Sequence, residues 1–435
     1  MDRVAHLDES LTRHVAIIGG GYAGMAAAVT LAQHGTKVSV FEAGKTLGGR
    51  ARQVTLNDIC VDNGQHLLLG AYSETLRLVE LVAPASAAWL RRPLQLHTLG
   101  GLQLTAPRLP APLNTLLALL GARGVSGSER FAAIRFMLAQ RRAHFKLRQD
   151  LPVAQLLAQH AQPSALVDKL WVPLCIAALN TPIATASAQV FLNVLRDSLA
   201  RRRSDSDLVF PARDLSALFP EPAADFVRTH GGAVTTGKTV DAITRTAAGF
   251  SVNGGRYTHL ICAVAPHQAL RLLTGPDELD SICAQIKAFH YQPIATVYLQ
   301  YPARIVLKKP MLGLSGGLAQ WVFDRGMTHH QHGLLAVVIS AEGHHRELAP
   351  ETLAQQVDAE LRGALGTLPA PLWHKVIVEK RATYSCDAGL QRPDQVTALK
   401  NFYLAGDYTA GDYPATLEAA IRSGVKCAQL ILEQT

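Results

Sequence analysis

Short apolar runs and a glycine-rich turn form the pattern at the start of the chain. Residues 14–18 (HVAII) are apolar and largely β-branched, as is typical of a strand buried on both faces of a parallel sheet. Met25–Gln33 is an alanine-rich stretch that predicts a helix ending near Gly35, and Lys37–Phe41 (KVSVF) predicts a second strand. The order strand, turn, helix, strand indicates an α/β fold.

Apolar segments that fit the same sheet return far along the chain. Gly231–Ser251 alternates polar and apolar residues around Val240 and predicts a set of hairpins, and His259–Pro266 (HLICAVAP) predicts another buried strand. A short apolar strand ends just before Asp407, and a helix is predicted to start after Pro414. One domain is therefore predicted to draw its elements from distant parts of the sequence.

Two long stretches almost without charge imitate membrane spans. Val15–Thr36 contains a cluster of glycines, and Leu170–Leu195 is interrupted by Pro173, Asn180 and Pro182. Because a spanning helix needs about 20 continuous apolar residues, neither stretch is predicted to cross a membrane. The charged first residues contain no apolar signal-peptide core, so the sequence favours a cytoplasmic protein.

Composition narrows the class of protein further. The 435 residues are 48% hydrophobic and 17% charged, which excludes a disordered chain. The net charge of +8 indicates a basic surface, but no stretch resembles a nucleic-acid-binding module, so nucleic acid is not predicted as a partner. The cysteines are widely spaced and are expected to be free thiols; they are Cys60, Cys175, Cys262, Cys283, Cys386 and Cys427.

The turn after the first strand carries the pattern of a dinucleotide-binding site. Gly19 allows a tight turn, Gly21 lets a pyrophosphate approach the helix N-terminus, and Gly24 lets the helix pack against the strand. Glu42 follows the second strand, where a carboxylate can accept hydrogen bonds from ribose hydroxyls. The complete strand, turn, helix, strand and acid predict a bound dinucleotide.

A second glycine pair, Gly48 and Gly49, and the cation of Arg50 follow directly. With the first motif they resemble the double-glycine motif of the amine oxidase and phytoene desaturase flavoproteins. The resemblance implies FAD as cofactor, because its extended diphosphate and ribityl chain need close backbone approach and a cation, for which Arg50 is the candidate. It also implies an α/β protein with a Rossmann-like FAD-binding domain and an inserted α+β substrate domain.

Residues near the carboxyl end supply the second half of the implied FAD site. In the same superfamily the aspartate that matches Asp407, next to Gly406, binds the ribityl or pyrophosphate region. The backbone of Thr416 and Leu417 opens a helix whose dipole stabilises negative charge on the reduced flavin. The residue that matches Val240 meets the adenine through its backbone.

These motifs predict how the chain divides into domains. Residues 1–85, 205–285 and 375–435 are expected to form a discontinuous FAD-binding domain. The inserted segments 86–204 and 286–374 are expected to form the substrate-binding domain. No second glycine motif with a following acid is present, so a dedicated NAD(P) domain is not predicted.

Three further blocks point to a narrower family. Residues 62–70 (DNGQHLLLG), 171–182 (WVPLCIAALNTP) and 208–219 (LVFPARDLSALF) resemble the hydroxysqualene dehydroxylases, FAD-dependent desaturase-like enzymes of bacterial hopanoid pathways. The resemblance implies that reduced FAD replaces the hydroxyl of 12-hydroxysqualene by hydrogen and forms squalene. Leu170–Leu195 suits an apolar wall for this C30 isoprenoid, or an ordinary buried helix pair.

Other functions remain open on the sequence alone. A carotenoid-type desaturase or isomerase would share the fold but use oxidised flavin, and a non-catalytic lipid-binding protein would keep FAD only as a structural group. Amine oxidation is disfavoured, because none of Lys287, Lys308 and Lys309 can be matched to the lysine that holds a water near the flavin in amine oxidases.

Dehydroxylation requires one acid for the departing hydroxyl. Asp62 and His66 lie in the block expected near the flavin, and Tyr413 precedes the flavin-facing helix. Each of these candidate catalytic residues also has a structural interpretation: a backbone cap for Asp62, a structural hydrogen bond for His66 and simple packing for Tyr413. The sequence leaves the choice open.

Two histidine clusters resemble metal-binding patterns but lack the further ligands that a metal site needs. His329, His330 and His332 form an HHxH pattern, and His344 and His345 are adjacent. Because supporting acids and a further ligand motif are lacking, we interpret the first cluster as a solvated loop and predict no metal site.

A basic amphipathic segment, Leu109–Lys146, bears on delivery of the substrate. It combines leucines and phenylalanines with several arginines. Such a segment could lie on an anionic membrane and pass on a water-insoluble substrate, or it could simply cover the substrate domain. We expect peripheral contact with the inner face of the cytoplasmic membrane. Association with the prenyl-transferring enzymes that make the substrate is left open.

Overall fold

Helices and strands alternate along the residues that the computed structural model describes, 13–84, 89–366 and 368–434. Most of the charged amino-terminal segment, residues 1–12, lies outside these ranges. The strands are β1 His14–Ile18, β2 Lys37–Phe41, β3 Gln53–Leu56, β4 Ile59–Asp62, β5 Leu68–Leu69, β6 Trp89–Arg92, β7 Gln95–His97, β8 Gln103–Thr105, β9 Leu208–Pro211, β10 Ala233–Thr235, β11 Ile243–Thr246, β12 Gly249–Val252, β13 Gly255–Tyr257, β14 His259–Cys262, β15 Tyr291–Gln300, β16 Met311–Gly313, β17 Trp321–Asp324, β18 Leu334–Ser340, β19 Trp373–Tyr384 and β20 Phe402–Leu404.

The helices fall between these strands. They are α1 Tyr22–Gln33, α2 Ser73–Val82, α3 Leu113–Leu120, α4 Gly127–Arg142, α5 Val153–Gln159, α6 Ser164–Leu166, α7 Val172–Leu179, α8 Ala188–Leu195, α9 Leu215–Leu218, α10 Pro220–Thr229, α11 Pro266–Leu273, α12 Asp280–Lys287, α13 Arg325–His329, α14 Pro350–Leu365 and α15 Leu417–Leu432. Wider π-helical turns occur at Val167–Trp171 and Arg196–Ala200, and 3₁₀ turns at Arg203–Ser206, Asp277–Leu279 and His344–Glu347.

A parallel sheet of five strands, in the order β10-β2-β1-β14-β20, forms one half of the molecule. In its centre Val15 of β1 pairs with Val38 of β2 on one side and with His259 of β14 on the other. Helices α1 and α15 pack together closely, because a Cβ at Gly424 would lie 2.1 Å from the carbonyl oxygen of Ala23. The predicted α/β fold class and the first two strands are confirmed.

The hairpins predicted for Gly231–Ser251 are only partly correct. β10 does not form a hairpin; it pairs in parallel with β2 and becomes the edge of the central sheet. The antiparallel set begins later, with β11, β12 and β13 over residues 243–257. The alternation of polar and apolar residues describes any half-buried strand, so it could not separate an edge strand from a hairpin.

A second sheet, antiparallel and in the order β16-β17-β18-β15-β19, forms the other half. Its long central strands pair over most of their length, as Val297 of β15 lies between Val337 of β18 and Val376 of β19. Helix α14 packs against β15 and β19, and a buried aliphatic core lies between them. The antiparallel sheet and α14 therefore form an α+β arrangement with its own core.

The two charge-poor stretches take the structures that their breaks predicted. Val15–Thr36 is divided between β1, the glycine turn and α1, and Leu170–Leu195 is divided between α7 and α8. No helix in the described part of the chain is long and apolar enough to cross a membrane. The six cysteines are free thiols, as the sequence predicted.

Candidate active site

One large cavity of about 980 Å³ connects the parallel sheet to the helical segment. Its wall includes both glycine motifs as well as apolar side chains of α7 and α8. Most residues that the sequence selected for the cofactor border it: Gly19, Gly21, Glu42, Gly48, Gly49, Arg50, Val240, Gly406, Asp407, Thr416 and Leu417. The cavity therefore brings together motifs from the start, middle and end of the chain.

Gly19 and Gly24 of the first glycine motif leave no room for a side chain. Gly19 has a φ of +112°, and a Cβ on Gly24 would lie 1.9 Å from the carbonyl oxygen of Gly19, so Gly24 sets the packing of α1 on β1. Helix α1 begins after Gly21 without any side-chain cap. Its first N–H groups are thus left for an anionic ligand, as a helix N-terminus that binds a pyrophosphate requires.

Glu42 joins the two glycine loops at this end of the cavity. One carboxylate oxygen accepts a hydrogen bond from the backbone N–H of Gly20 and the other from Gly44, both at 2.7 Å. A carboxylate has about four lone-pair sites, so two remain for other donors. Glu42 can thus hold the turn and still accept hydrogen bonds from ribose hydroxyls.

The second glycine loop lies directly beside the first. The N–H of Gly48 donates to the carbonyl of Gly20 at 3.0 Å, and Gly48 has a φ of +117° that disfavours any other residue. Beyond it, Arg50 donates from Nη2 to Oδ1 of Asp407 at 2.6 Å and from Nη1 to the carbonyl of Ala382 at 2.7 Å. The cation of Arg50 therefore lies where the amino-terminal and carboxyl-terminal motifs meet.

The carboxyl-terminal part of the site is fixed by its own hydrogen bonds. The N–H of Gly406 donates to Oγ of Ser423 at 2.8 Å, and Thr416 accepts from the N–H of Ala419 at 3.2 Å as the N-cap of α15. The cavity-lining Thr416 and Leu417 thus present the positive end of the α15 dipole to the cavity.

The residues present fit FAD. Two glycine loops offer backbone without side chains, the N-terminus of α1 lacks a cap, and the N-terminus of α15 faces the same space. The buried Val240 lies on the wall at the Glu42 end, which gives an apolar contact for a base. FAD is an elongated nucleotide with a diphosphate in its middle. The apolar Val240 suits its base, Glu42 its ribose, the free amides of the glycine loops its diphosphate, and the N-terminus of α15 its flavin.

The opposite end of the cavity is apolar. Leu174, Ile176 and Leu179 of α7 line it together with Val194 and Leu195 of α8. The Leu170–Leu195 stretch is thus both a buried helix pair and a cavity wall, so its two interpretations are compatible. At the end of α7, Asn180 adopts a left-handed conformation with φ +48°.

Asn180 joins three segments around that apolar end. Its Nδ2 donates to Oγ1 of Thr383 at 2.9 Å, and its Oδ1 accepts from the N–H of Ala341 at 2.7 Å. The side chain is therefore fully engaged in holding α7 against β18 and β19, which fixes the position of the apolar wall.

Asp62 does not border the cavity among the described residues. It is buried, and its Oδ1 accepts from the N–H of Leu215 at 2.7 Å while Oδ2 lies 3.3 Å from Nη1 of the buried Arg325. Arg325 also donates to Oε1 of Gln65 at 2.8 Å, so one guanidinium contacts both Asp62 and Gln65. These contacts give Asp62 a structural role as backbone cap and ion-pair partner.

His66 does border the cavity. Its Nδ1 lies 2.6 Å from the carbonyl of Gly64, which fixes the hydrogen on Nδ1 and leaves Nε2 with a free lone pair in the neutral ring. Burial lowers the pKa of His66, although the bond to Gly64 acts in the opposite direction. A proton on Nε2 would therefore be readily given up.

Tyr413 borders the cavity and forms a pair that the sequence did not reveal. Its hydroxyl donates to Oδ2 of the buried Asp197 at 2.9 Å. Asp197 also lines the cavity. Arg196 donates a hydrogen bond to each of its carboxylate oxygens, at 2.9 Å and 3.0 Å. No local pattern marks Asp197 as functional, since it follows an arginine within an ordinary helical stretch.

The histidine cluster is not the fully solvated loop that the sequence predicted. His330 and His332 are exposed, but the ring of His329 is buried 3.9 Å from Oδ2 of Asp62. The reason is that His329 is the last residue of α13, whose first residue, Arg325, is the buried partner of Asp62. In the described part of the chain no three His, Cys, Asp or Glu residues are placed to hold a metal ion.

The parallel sheet, the two glycine loops and the opposed helix N-termini define a class of flavoprotein. The family model described as flavin containing amine oxidoreductase matches residues 22–432, and the chain belongs to this family. It is therefore a flavin-dependent oxidoreductase with FAD as its cofactor, as the glycine motifs predicted.

Within the family the chain is similar to the hydroxysqualene dehydroxylase of Sinorhizobium fredii, with 29% identity over 98% of this chain and 100% of that protein. The zeta-carotene desaturase of Synechocystis sp. is 25% identical over 96% of this chain and 97% of that protein. The predicted resemblance to the hydroxysqualene dehydroxylases is thereby confirmed. The structure of putrescine oxidase with putrescine bound covers 97% of this chain and 99% of its own, with a TM-score of 0.71 and 15% identity, and shares the fold.

Proposed function

We propose that this protein reductively removes the hydroxyl of 12-hydroxysqualene and forms squalene. The observation that carries the proposal is the single cavity that runs from the cofactor motifs to the apolar wall of α7 and α8. A C30 isoprenoid requires such a dry surface next to the cofactor. The similarity to a hydroxysqualene dehydroxylase over the full length of both proteins supports the same substrate.

The reaction consumes a hydride and a proton and releases squalene and water. Bound and reduced, FAD supplies the hydride. The apolar side chains of α7 and α8 exclude water, so that the delocalised cation left by the departing hydroxyl is not captured by solvent.

We assign the proton to His66. Its Nε2 has no hydrogen-bond partner among the described residues and the ring borders the cavity, whereas the carboxylate of Asp62 does not border it and is engaged by Arg325. The bond from Nδ1 to the carbonyl of Gly64 orients the ring, and burial lowers the pKa of His66, so the protonated ring is the minor form and a strong acid. In this protonated form His66 gives the proton on Nε2 to the departing oxygen and becomes the neutral ring.

The proposal is tested by product analysis. The FAD-loaded protein is photoreduced without oxygen, mixed with 12-hydroxysqualene, and the extracted lipids are analysed by mass spectrometry. Squalene is the expected product, and H66Q should form it at least about a hundredfold more slowly while binding FAD normally. Absence of squalene with the wild-type protein would refute the proposal.

A carotenoid-type desaturase is the second candidate, favoured by the similarity to zeta-carotene desaturase. It would need the same apolar cavity but would take a hydride from the substrate. Incubation of the oxidised protein with phytoene distinguishes the two functions, because a desaturated product would favour this candidate. We expect phytoene to be recovered unchanged.

The division of the chain into domains follows from the same proposal. Every strand of the parallel sheet falls within 1–85, 205–285 or 375–435. Four strands of the antiparallel sheet fall within 286–374, whereas β19 lies there only with Trp373 and His374. We therefore assign cofactor binding to the first set of segments and substrate binding to 86–204 and 286–374.

A membrane surface is the proposed source of the substrate. On α3 the side chains of Leu113, Leu117 and Leu120 are exposed by 53%, 43% and 42%, and Phe131 of α4 is exposed by 63%. The same segment carries exposed arginines at Arg108, Arg135, Arg141 and Arg142. A segment that exposes both apolar side chains and cations matches the headgroup region of an anionic membrane.

The opposite face of α3 connects this surface to the cavity. Thr115 donates to the carbonyl of Leu199 at 3.1 Å, and Asn114 lies 3.5 Å from Oγ of Ser206. Leu199 and Ser206 themselves line the cavity. One helix therefore separates the exposed leucines from the apolar space, which is a short route for a lipid.

A further inference from the structure

A polar pair interrupts the apolar wall of the cavity at Asp197 and Tyr413. The carboxylate of Asp197 lies in the π-helical turn Arg196–Ala200 directly after α8, and only 5% of the residue is exposed. The phenol of Tyr413 lies in the loop before α15. The two side chains meet although 216 residues separate them.

The hydrogen-bond geometry fixes the direction of the phenolic hydrogen. Arg196 donates to both oxygens of Asp197, and Arg201 lies 3.4 Å from Oδ1. Burial acts to raise the pKa of Asp197, but the hydrogen bonds from Arg196 and Tyr413 hold it below its ordinary value, so the group is a carboxylate. A carboxylate only accepts hydrogen bonds, so the hydrogen between it and Tyr413 belongs to the phenol.

This arrangement makes Tyr413 an acceptor toward the cavity. Its hydrogen is committed to Asp197, and its remaining lone pair is free for a ligand. Burial and Asp197 raise the pKa of Tyr413 to about 12. Loss of the proton would place a phenolate beside a carboxylate, so the phenol is a poor acid and a good acceptor.

Two serine hydroxyls on the same wall also donate their hydrogens to protein groups. Ser198 donates to the carbonyl of Val194 at 2.6 Å, and Ser206 donates to the carbonyl of Arg203 at 2.8 Å. Both serines line the cavity. The polar part of the wall is thus rich in acceptors, which an alcohol can satisfy and a hydrocarbon cannot.

We propose that Tyr413 accepts the hydrogen bond of the substrate's hydroxyl, and that Asp197 is the positioning residue that turns the hydrogen of Tyr413 away from the cavity. The inference rests on the proposed function, since it names the group that recognises the alcohol. It gives Tyr413 a binding role in place of the proton transfer considered from the sequence. The hydrocarbon product leaves the phenol oxygen without a partner, which favours its release.

The test compares binding of the alcohol and of squalene to the oxidised FAD-loaded protein, which cannot turn the alcohol over. Changes in the flavin absorption spectrum report each dissociation constant. The wild-type protein should bind 12-hydroxysqualene about tenfold more tightly than squalene. Y413F should bind both lipids with the affinity that the wild-type protein has for squalene.

Two substitutions of Asp197 separate positioning from a merely structural role. D197N keeps an oxygen that accepts the hydrogen of Tyr413 and should preserve the preference for the alcohol, whereas D197A should lose it. Both remove the negative charge of Asp197 beside Arg196, so the two variants lose the same charge. D225N, at the exposed ion pair with Arg228, serves as a surface control that should change nothing.

Each outcome bears on the inference. A Y413F protein that keeps the full preference for the alcohol overturns it, as does an equal loss of squalene binding in D197A and D197N. A wild-type protein that neither binds nor converts the alcohol refutes the proposed function instead. Conversion by the wild-type protein, together with an unchanged preference in Y413F, refutes this inference alone.

Discussion

Arg50 and Asp407 form an ion pair of 2.6 Å between Nη2 and Oδ1, although 357 residues separate them in the chain. The second hydrogen bond of Arg50, to the carbonyl of Ala382, adds β19 to the same junction. Three segments that are distant in sequence thus meet at one guanidinium. The ion pair lines the cavity and joins the two cofactor motifs to the antiparallel sheet.

Loss of this ion pair should weaken FAD binding. Hydrogen bonds to charged groups contribute about 1.5–3 kcal/mol, so R50A or D407N should raise the Kd for FAD roughly tenfold to a hundredfold. Titration of the apoprotein with FAD, followed by quenching of flavin fluorescence, measures this change. R77A, which removes an exposed ion pair with Glu74, is the control. An unchanged Kd in both R50A and D407N would contradict the assigned role.

The close contact at Gly24 predicts that adding a single methyl group there lowers stability and FAD binding more than loss of the Arg50–Asp407 ion pair does. In G24A the added Cβ would meet the carbonyl oxygen of Gly19 at 1.9 Å, and backbone cannot move aside as a side chain can. Overpacking usually costs about 1–3 kcal/mol, and a backbone clash should reach at least the upper end. We expect a clearly lower Tm and loss of bound FAD, measured by differential scanning calorimetry and flavin absorbance.

G363A is the matched control for that substitution. Gly363 also lies within a helix, α14, but a Cβ there would meet no atom within 4 Å. Because alanine favours a helix by about 1 kcal/mol over glycine, G363A should raise the Tm slightly. Equal destabilisation by both substitutions would show that packing of α1 on the glycine turn is unimportant.

The cofactor end of the site could be predicted because its signals are local. The spacing of Gly19, Gly21 and Gly24 and the acid at Glu42 lie within one continuous stretch, so the turn and its chemistry follow from the sequence. The block around His66 could be selected in the same way. Its exact environment could not, because the partners that orient it come from other segments.

Buried pairs between distant residues were beyond the reach of the sequence. Arg325 and Asp62 are separated by 263 residues, and nothing near Arg325 distinguishes it from the arginines on the surface. The solvated-loop interpretation of His329 failed for the same reason, since that ring is buried against the Asp62 cluster. Charged residues are ordinarily exposed, and only tertiary structure shows which of them are enclosed.

His329 should make the protein sensitive to acid. Burial lowers its pKa to about 3, whereas the unfolded chain takes up a proton near pH 6.5. The folded state therefore loses stability as pH falls from 6.5 toward 3, by up to about 1.4 kcal/mol per pH unit. H329Q should flatten the fall of Tm over this window, whereas H332Q, at an exposed site on the same loop, should leave it unchanged. Parallel curves for H329Q and the wild type would contradict the assignment.

The exposed leucines of α3 should determine binding to membranes. Each buried leucine contributes about 1.5–3 kcal/mol, so replacement of Leu113, Leu117 and Leu120 by serine should weaken binding to anionic vesicles at least about a hundredfold. Sedimentation with liposomes measures binding, and added salt should weaken it because the same segment carries exposed arginines. Serine at Leu372 and Val306, exposed by 68% and 59% elsewhere on the surface, is the control and should have no effect. A wild-type protein that stays wholly in solution at low salt would refute peripheral binding, because both the apolar and the electrostatic attraction are then at full strength.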